Sequence, residues 1–542
     1  MYVDKATIKR NGKTYSRHLL RTSYRENGKV KHKTIANLGK CTEVEIQAIQ
    51  LALRYKNDLS IMKNIKDLEL GQGLSFGAIW LLDQLSERLG IKKALGKDRR
   101  AKLALWQVLA RVLSGGSRLS AVRLADRTAA LEILGLESFS EKDLYKNLDW
   151  ICKNKMKIEQ CLFANRKVND IFLYDVTSSY LEGSQNELAA YGYSRDGKKS
   201  KQQIIVGLLC DEDGMPISIE VFPGNIKDFD TLLLQIEKVA KNFGAKRITF
   251  VGDRGMIKAK QIEELHRQEF HYITAITKPQ IEKMLREGDI ELTLFDEDIA
   301  EKDVEGIRYI FRKNSVRANE ISNSRKSKEK CFLKFIETKN RYLLEHPRAK
   351  LDVALEKSQE LLNKLKLSWI SISSEERRII IKRNKQTLEE LSKLDGCYVL
   401  KTDLQKVDKE IIYERYKDLA KVEFAFRTVK TAHLEIRPLY LRKEERTRAH
   451  ALVVMLAFLL VKELRELWRS LDLTVEEGIQ ELQTLSSILV QDKKTGFYWH
   501  ALPNPRGISK TLLRLAKITM LPALPKKRGD VTTKTKLQKR RI

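Results

Sequence analysis

The segment from Asp170 to Ile276 constrains the fold most, because three strand-like runs follow one another there with no helix between them. These runs are rich in β-branched and other apolar residues and cover 171–177, 203–210 and 216–222. Alternation follows, with helices predicted at 229–243 and 258–268 and strands at 247–252 and 270–276. A meander followed by helix–strand alternation predicts a mixed α/β sheet.

This strand order is that of the ribonuclease H-like fold, although the pattern alone also fits other α/β sheets. The alternation stops for the 136 residues from Thr277 to Ile412, which is too long for a loop within a compact domain. Structure is predicted inside this segment as a strand at 307–312, a helical stretch at 325–366, a helix near 375–393 and a strand at 397–402. We therefore expect a core of residues 166–276 and 413–470, split by an inserted domain at 277–412 whose last strand rejoins the core.

Two modules are predicted before the core. The pairs Asn11-Gly12 and Asn27-Gly28 are hairpin signals, and they predict a basic β-ribbon at residues 1–42. Apolar spacing predicts a helical, DNA-binding domain at 43–165. In that domain, four arginines beside Gly115-Gly116 fit either a helix-turn-helix motif or two packed helices with solvated side chains. They are Arg111, Arg118, Arg123 and Arg127.

The end of the chain is predicted to be helical at 471–525. Residues 526–542 are basic and almost free of apolar side chains, so we expect a disordered tail that binds DNA non-specifically.

Charge indicates the class of partner. Lys and Arg number 102 against 72 Asp and Glu, a net charge of +30, which favours DNA, RNA or an anionic membrane surface as the partner. The membrane is disfavoured because the longest apolar run, 451–461, is too short to span a bilayer and fits a buried core helix better. The N-terminus lacks the apolar segment of a signal peptide, so we expect a cytoplasmic, nucleoid-associated protein.

Three carboxylates are the candidate catalytic groups: Asp175 in the run IFLYDVTSSYL, Asp253 in VGDRGM, and Glu423 in the helical run YKDLAKVEFAFRTVK. Asp175 or Asp253 alone also fits a cap or a turn. Together they are typical of a site that holds two Mg²⁺ ions against a phosphodiester, with Asp175 bridging the ions and Mn²⁺ able to substitute.

The helical run carries a further pattern. Tyr416, Leu419, Glu423 and Lys430 fall on one stripe of a continuous helix, where a structural helix is usually apolar. Their spacing resembles the Y-x2-R-x3-E-x6-K signature of DDE transposases from bacterial insertion sequences, the branch that cuts and pastes DNA. The runs YDVTSSYLEG, GNIKDFDTL and VGDRGM resemble the aspartate regions of the same family, and the resemblance covers residues 170 to 470.

The resemblance implies roles for further residues. Tyr416 and Lys430 would grip the phosphate backbone, and Arg254 and Arg427 would also contact DNA. Leu419 stands at the signature's arginine position, so Arg427 or Arg415 would replace that cation. Trp369, in the inserted segment, would stack on a flipped base, unless it belongs to that segment's core.

The implied function is that of a transposase acting as a homodimer or higher synaptic assembly. It would bind the inverted repeats of its element in double-stranded DNA, cleave the ends and join the 3′-hydroxyls to target DNA. The sequence contains no GxxxxGK[ST] phosphate loop, so we expect no nucleotide cofactor. A metal-dependent nuclease without strand transfer and an inactive, transposase-derived DNA-binding protein stay open as alternatives. A glycosidase is disfavoured by the basic charge.

Overall fold

A computed structural model of the chain describes residues 1–10, 13–54, 56, 68–166, 170–183, 185–195, 197–198, 200–243, 248–430, 434, 436, 440–493 and 497–525. Contacts divide the described chain into two units. The first unit holds residues 1–76, 485–506 and 521–524, and the second holds 77–484, 507–520 and 525.

The described residues form the following elements. The strands are β1 (Tyr2–Arg10), β2 (Lys13–Glu26), β3 (Lys29–Asn37), β4 (Leu68–Ser75), β5 (Ile171–Tyr180), β6 (Gln203–Cys210), β7 (Pro216–Pro223), β8 (Thr249–Gly252), β9 (His271–Ala275), β10 (Ala300–Val304), β11 (Ile307–Lys313), β12 (Ile370–Glu375), β13 (Arg378–Arg383), β14 (Cys397–Thr402), β15 (Ser486–Asp492) and β16 (Tyr498–Ala501). The helices are α1 (Glu43–Arg54), α2 (Gly77–Arg88), α3 (Ile91–Leu95), α4 (Arg99–Ser114), α5 (Arg118–Arg127), α6 (Ala130–Leu134), α7 (Glu141–Ala164), α8 (Asp228–Lys238), α9 (Ala259–Arg267), α10 (Lys278–Glu287), α11 (Ser315–Glu345), α12 (Leu351–Leu365), α13 (Lys385–Lys393), α14 (Lys409–Lys417), α15 (Leu419–Lys430), α16 (Glu444–Leu467), α17 (Val475–Gln483) and α18 (Gly507–Leu515). A π-helical turn (Val239–Phe243) extends α8, and a 3₁₀ turn spans Leu292–Phe295.

The first unit contains the predicted ribbon. Strands β1, β2 and β3 form an antiparallel meander, which confirms the ribbon. Its second turn has positive φ at Asn27 (47°) and Gly28 (76°), as the two-residue hairpin turn requires. The Asn11-Gly12 turn lies outside the described residues.

A second small sheet in this unit corrects the helical prediction for the flanking segments. Strands β4, β15 and β16 pair in the order β16-β15-β4, where the sequence predicted only helices. Gly71 and Gly73 weaken a helix, and Gly73 also permits close pairing, because a Cβ there would lie 2.0 Å from the Ser487 carbonyl oxygen.

The second unit is built on an eight-stranded mixed sheet in the order β10-β11-β14-β9-β8-β5-β6-β7. Strands β5, β6 and β7 form the antiparallel meander, and β5, β8 and β9 run parallel. The predicted ribonuclease H-like sheet is therefore confirmed. Strand β5 is longer than predicted, because its pairing with β6 continues through Ser178 and Ser179 to Tyr180.

One face of the sheet shares a continuous apolar core with two groups of helices. One group precedes the sheet in the sequence, and the other follows it. Helix α16 packs against α4, α7 and β7, and the predicted buried run 451–461 lies inside it. Within the described ranges, every helix is too short or too polar to cross a membrane.

Ion pairs join these layers. Glu220 on β7 accepts from Lys155 on α7 at 2.5 Å and from Lys238 on α8 at 2.6 Å, and Arg448 on α16 lies 3.5 Å away. Lys238 also binds the fully buried Glu159 at 2.5 Å. Although burial opposes ionisation, the two lysines hold the pKa of Glu220 down at about 2.

The arginines beside Gly115-Gly116 divide between interior and surface. Arg111 and Arg118 are only 6% and 8% exposed, so packing rather than DNA accounts for these two. Arg118 contacts the ring of His450 on α16 at 3.2 Å. Burial and the two arginines lower the pKa of His450 well below its ordinary value.

The segment predicted as an insertion has two parts. Strands β10, β11 and β14 extend the central sheet, with Leu400 opposite Ala275, so the prediction that the strand at 397–402 rejoins the core is confirmed. Residues 315–393 form a separate body with its own apolar core. This body leaves and re-enters the sheet at one point, because Lys313 pairs with Cys397 and Asn314 N donates to Gly396 O at 2.8 Å.

Local predictions within this body were partly wrong. The long helix divides into α11 and α12 around Pro347, whose ring and missing N–H disrupt a helix. The helix predicted near 375–393 is a β12–β13 hairpin followed by the shorter α13. The β-branched run Ile379, Ile380 and Ile381 favours the strand.

Candidate active site

Sheet register brings the two aspartates together. Strands β5 and β8 are parallel, with Leu173 opposite Val251 and Tyr174 opposite Gly252. Asp253 directly follows β8, so it comes level with Asp175, which lies in the middle of β5 rather than at its end. Asp175 is partly buried and Asp253 is exposed.

Glu423 lies near the two aspartates but is carried by a helix. Helix α15 packs on β5 through its buried face, which includes Val422, Ala425 and Phe426. This packing leaves Glu423 exposed at the edge of the sheet. Asp175, Asp253 and Glu423 line a single cavity of about 550 Å³, the carboxylate cavity.

The electrostatics of the carboxylate cavity favour a cation. Burial raises the pKa of Asp175 to about 7, with the charges of Asp253 and Glu423 acting in the same direction. The N–H of Val176 and the guanidinium of Arg195 oppose that shift. A carboxyl group whose ionisation is opposed by burial and by two neighbouring acidic groups would gain from a positive ion beside it.

The helix that carries the signature is broken. Helix α14 ends at Lys417 and α15 begins at Leu419, so Tyr416 and Glu423 lie on different helices. The single-stripe interpretation is therefore wrong, although both residues line the carboxylate cavity. The Tyr416 hydroxyl donates to Asp253 Oδ1 at 3.1 Å, and burial, aided by Asp253, raises the pKa of Tyr416.

The other residues predicted from the signature are placed differently. Leu419 lines the carboxylate cavity, while Arg427 and Lys430 are on α15 outside its lining. Arg415 lies 3.4 Å from Glu212 and 3.3 Å from Asp418. These pairs engage Arg415 within the protein.

Three basic side chains of the described residues line the carboxylate cavity, and the sequence interpretation identified only one of them. Arg254, which was predicted, is exposed in the lining, and Lys278 and Lys417 join it. Tyr398 and Tyr413 form its aromatic end, with ring centroids 6.0 Å apart. Lys278 follows β9 at the edge where the parallel strands end, a position that could have identified it.

Trp369 lies away from the three carboxylates. It is 5% exposed in the core of the 315–393 body, and its Nε1 donates to Glu329 at 3.3 Å. It lines another cavity, of about 390 Å³, together with Arg325, whose guanidinium lies 5.7 Å from the indole ring. Its stacking role stays a prediction.

The three carboxylates can be tested as metal ligands by the number and type of oxygen donors that they provide. Within the described part of the chain, no three Asp, Glu, His or Cys side chains lie close enough together to hold one ion. The three carboxylates share a cavity, and Mg²⁺ needs only one or two protein carboxylates when phosphate oxygens and water complete its shell. The hard oxygen ligands and the raised pKa of Asp175 therefore fit divalent cations held together with substrate.

Comparison with known proteins identifies the family of the chain. The family model described as a transposase DDE domain matches residues 166–460, and the model of the N-terminal domain of IS1634 family transposases matches residues 3–61. No protein among those with curated descriptions matches the chain. Among solved structures, the chain is similar to the piggyBac transposase in a cryo-EM structure of its synaptic complex with hairpin DNA. The identity is 9% and the TM-score 0.32, over 80% of this chain and 70% of that one.

Proposed function

Because the chain belongs to the transposases with a DDE domain, we propose that it cleaves the DNA ends of its own insertion sequence and joins the 3′-hydroxyl ends to target DNA. One observation carries this proposal: Asp175, Asp253 and Glu423, far apart in sequence, line one cavity in a chain of net charge +30. A cluster of carboxylates in a strongly basic protein is consistent with metal-assisted chemistry on a polyanion.

Asp175, Asp253 and Glu423 would hold two Mg²⁺ ions, or Mn²⁺ in their place. Bound there, the ions would supply Lewis-acid activation of the attacking oxygen and stabilisation of the leaving oxygen. The chain itself positions the carboxylates: the β5–β8 register sets the two aspartates, and the packing of α15 on β5 sets Glu423.

The remaining residues of the carboxylate cavity would bind and orient DNA. Arg254, Lys278 and Lys417, which line the cavity, would neutralise phosphates near the reacting one. Tyr416 orients Asp253 through its hydrogen bond and lies close enough to the carboxylates to contact the same strand. Arg427 and Lys430, in the last turn of α15, would contact the DNA beyond the cavity.

The DNA ends would be the terminal inverted repeats, paired by a homodimer or a larger synaptic assembly. A nuclease that cuts without rejoining is the alternative, since the same cavity suits hydrolysis alone. An inactive DNA-binding derivative is less favoured, because all three carboxylates are retained and share one cavity.

The test is cleavage and joining by the full-length protein on a plasmid that carries the gene with its flanking sequences. With Mg²⁺, we expect wild-type protein to release the ends and join them to a second plasmid, whereas D175N, D253N and E423Q still bind DNA but do neither. The controls D298N and E263Q change exposed carboxylates outside the cavity and should react as wild type.

The outcomes separate the candidates. Cleavage without joining supports the nuclease, and metal-independent binding without any cleavage supports the inactive derivative. Strand transfer by purified D175N or E423Q contradicts the assignment of these carboxylates.

A further inference from the structure

A second cavity adjoins the carboxylate cavity. It has a volume of about 370 Å³, and we call it the Tyr193 cavity. Gly255 lines it, while the two preceding residues, Asp253 and Arg254, line the carboxylate cavity. One short turn therefore has a cavity on each side, and a strand crossing the turn would enter both.

The walls of the Tyr193 cavity carry more positive than negative charge. Arg195, Lys227 and Lys258 line it, against one carboxylate, Asp228. Asp228 lies 2.5 Å from Arg195, which leaves the two lysines in excess. The Nζ atoms of Lys227 and Lys258 lie 5.8 Å and 4.2 Å from the centre of the Phe229 ring, so both ammonium groups are held at the same wall. This charge balance suits a phosphate.

A buried acceptor in the same wall lacks a donor. Gln203 is 2% exposed, and its Nε2 donates to the carbonyls of Tyr193 at 3.0 Å and Gly224 at 2.9 Å. Its Oε1 is buried and has no hydrogen-bond partner among the described residues. Because an unsatisfied buried oxygen is costly, this atom suits a ligand that supplies an N–H group. Phosphate alone has none, whereas the bases of DNA do.

Tyr193 adds an aromatic surface that is held in place. Its side chain is 83% exposed, but the backbone around it is anchored. Ala190 and Gln203 exchange two backbone hydrogen bonds, of 3.1 Å and 3.0 Å, and Arg195 N donates to Ser178 Oγ at 3.0 Å. A Cβ on Gly192 would lie 2.3 Å from the carbonyl oxygen of Gly224, so only glycine allows this approach. A large exposed ring on an ordered backbone suits stacking against a base.

We propose that the Tyr193 cavity binds one nucleotide of the DNA strand that enters the carboxylate cavity. Lys227 and Lys258 would bind its phosphate, Tyr193 would stack on its base, and Gln203 Oε1 would accept an N–H from that base. The site would thus fix the strand beside the reacting phosphate. This inference rests on the proposed function for the identity of the strand.

The test measures binding without chemistry. Full-length protein in EDTA is titrated with a fluorescent oligothymidylate of about twelve nucleotides and with an abasic strand of the same length. We expect wild-type protein to prefer the thymidylate, and Y193A to lose roughly fivefold to a hundredfold in affinity for it while Y193F loses little. Y191A, at an exposed tyrosine outside the lining, is the matched control.

A second pair of variants tests the phosphate contacts. K227A/K258A should weaken the binding of both strands and reduce the slope of log affinity against log salt by about 0.7, the value for one phosphate of a single strand. The control K241A/K283A removes the same charge from exposed lysines outside both cavities and should have a smaller effect. With 5-iododeoxyuridine in the strand, photocrosslinking should label the peptide that contains Tyr193.

Two results overturn the inference. The first is equal affinity of wild-type protein for the thymidylate and the abasic strand. The second is an effect of K227A/K258A no larger than that of K241A/K283A. These measurements need no metal and no cleavage. They can therefore be interpreted even if the protein proves to have no transposition activity.

Discussion

Replacing Asp175 with asparagine should stabilise the metal-free protein at alkaline pH. In the folded chain the pKa of Asp175 is raised from 3.8 to about 7, mainly by burial. Between these values the folded state binds more protons than the unfolded state, so the contribution of this carboxyl to stability falls as pH rises from about 4 to 7. Above pH 7 its ionised form opposes folding.

The magnitude follows from the shift. About three pKa units at 1.36 kcal/mol each give about 4 kcal/mol as an upper bound, which solvent at the mouth of the cavity reduces. Asparagine occupies nearly the same volume and carries no charge. D175N should therefore exceed wild type in stability at pH 8.5 by up to that amount, and the difference should vanish near pH 4.

Hydrogen exchange of the peptide covering β5 is the appropriate assay, because a chain of several units need not unfold in one step. Wild type and D175N are compared in EDTA at each pH, with D298N as the control. Saturating Mg²⁺ should protect wild type and leave D175N unchanged. Equal protection of the two proteins at pH 8.5, or a difference that does not depend on pH, would refute the reasoning.

Three further predictions test the site and its support. Y416F removes the hydrogen bond to Asp253 and should slow single-turnover cleavage by roughly tenfold, about 1.4 kcal/mol, with DNA affinity nearly unchanged; an unchanged rate would exclude a positioning role. E220Q removes one of the two carboxylates that Lys155 and Lys238 share, Glu159 being the other, and should destabilise the β7 region by about 3 kcal/mol at pH 7 in hydrogen exchange. Since the pKa of Glu220 is lowered to about 2, its contribution is present above pH 4.5 and is lost as pH falls towards 2, so the wild type and E220Q should converge in acid. Finally, DNA affinity should fall at least tenfold for a few-fold rise in salt, as measured by fluorescence anisotropy, and a flat dependence would contradict a phosphate-dominated interface.

The sequence predicted the sheet well, and with it the meeting of the two candidate aspartates, because both depend on local pattern. Apolar runs identified the strands, and parallel β5 and β8 necessarily bring Asp175 and Asp253 to one edge. Glu423 was found through its resemblance to a family signature. Helical periodicity alone shows only on which side of its helix Glu423 lies. The packing of α15 on β5 determines the direction in which that side of the helix faces.

Features set by tertiary context were missed. The break at Asp418 has no proline or glycine to signal it, and it separates Tyr416 from Glu423. The burial of Arg111 and Arg118 depends on packing against distant parts of the chain, including His450, which a helical pattern cannot reveal. Likewise β4 requires β15, more than 400 residues away, as its pairing partner.

The connection of the 315–393 body to the sheet has an evolutionary consequence. Its two ends meet where Lys313 pairs with Cys397, and the positive φ of Gly396 (74°) accommodates the return of the chain beside Asn314. A tight turn between β11 and β14 would close the same gap, so an ancestor could have acquired this body, and a descendant could lose it, within one hairpin. The sheet and its three carboxylates would be retained in relatives with or without this body. Differences in chain length among relatives would then be concentrated at the β11–β14 hairpin.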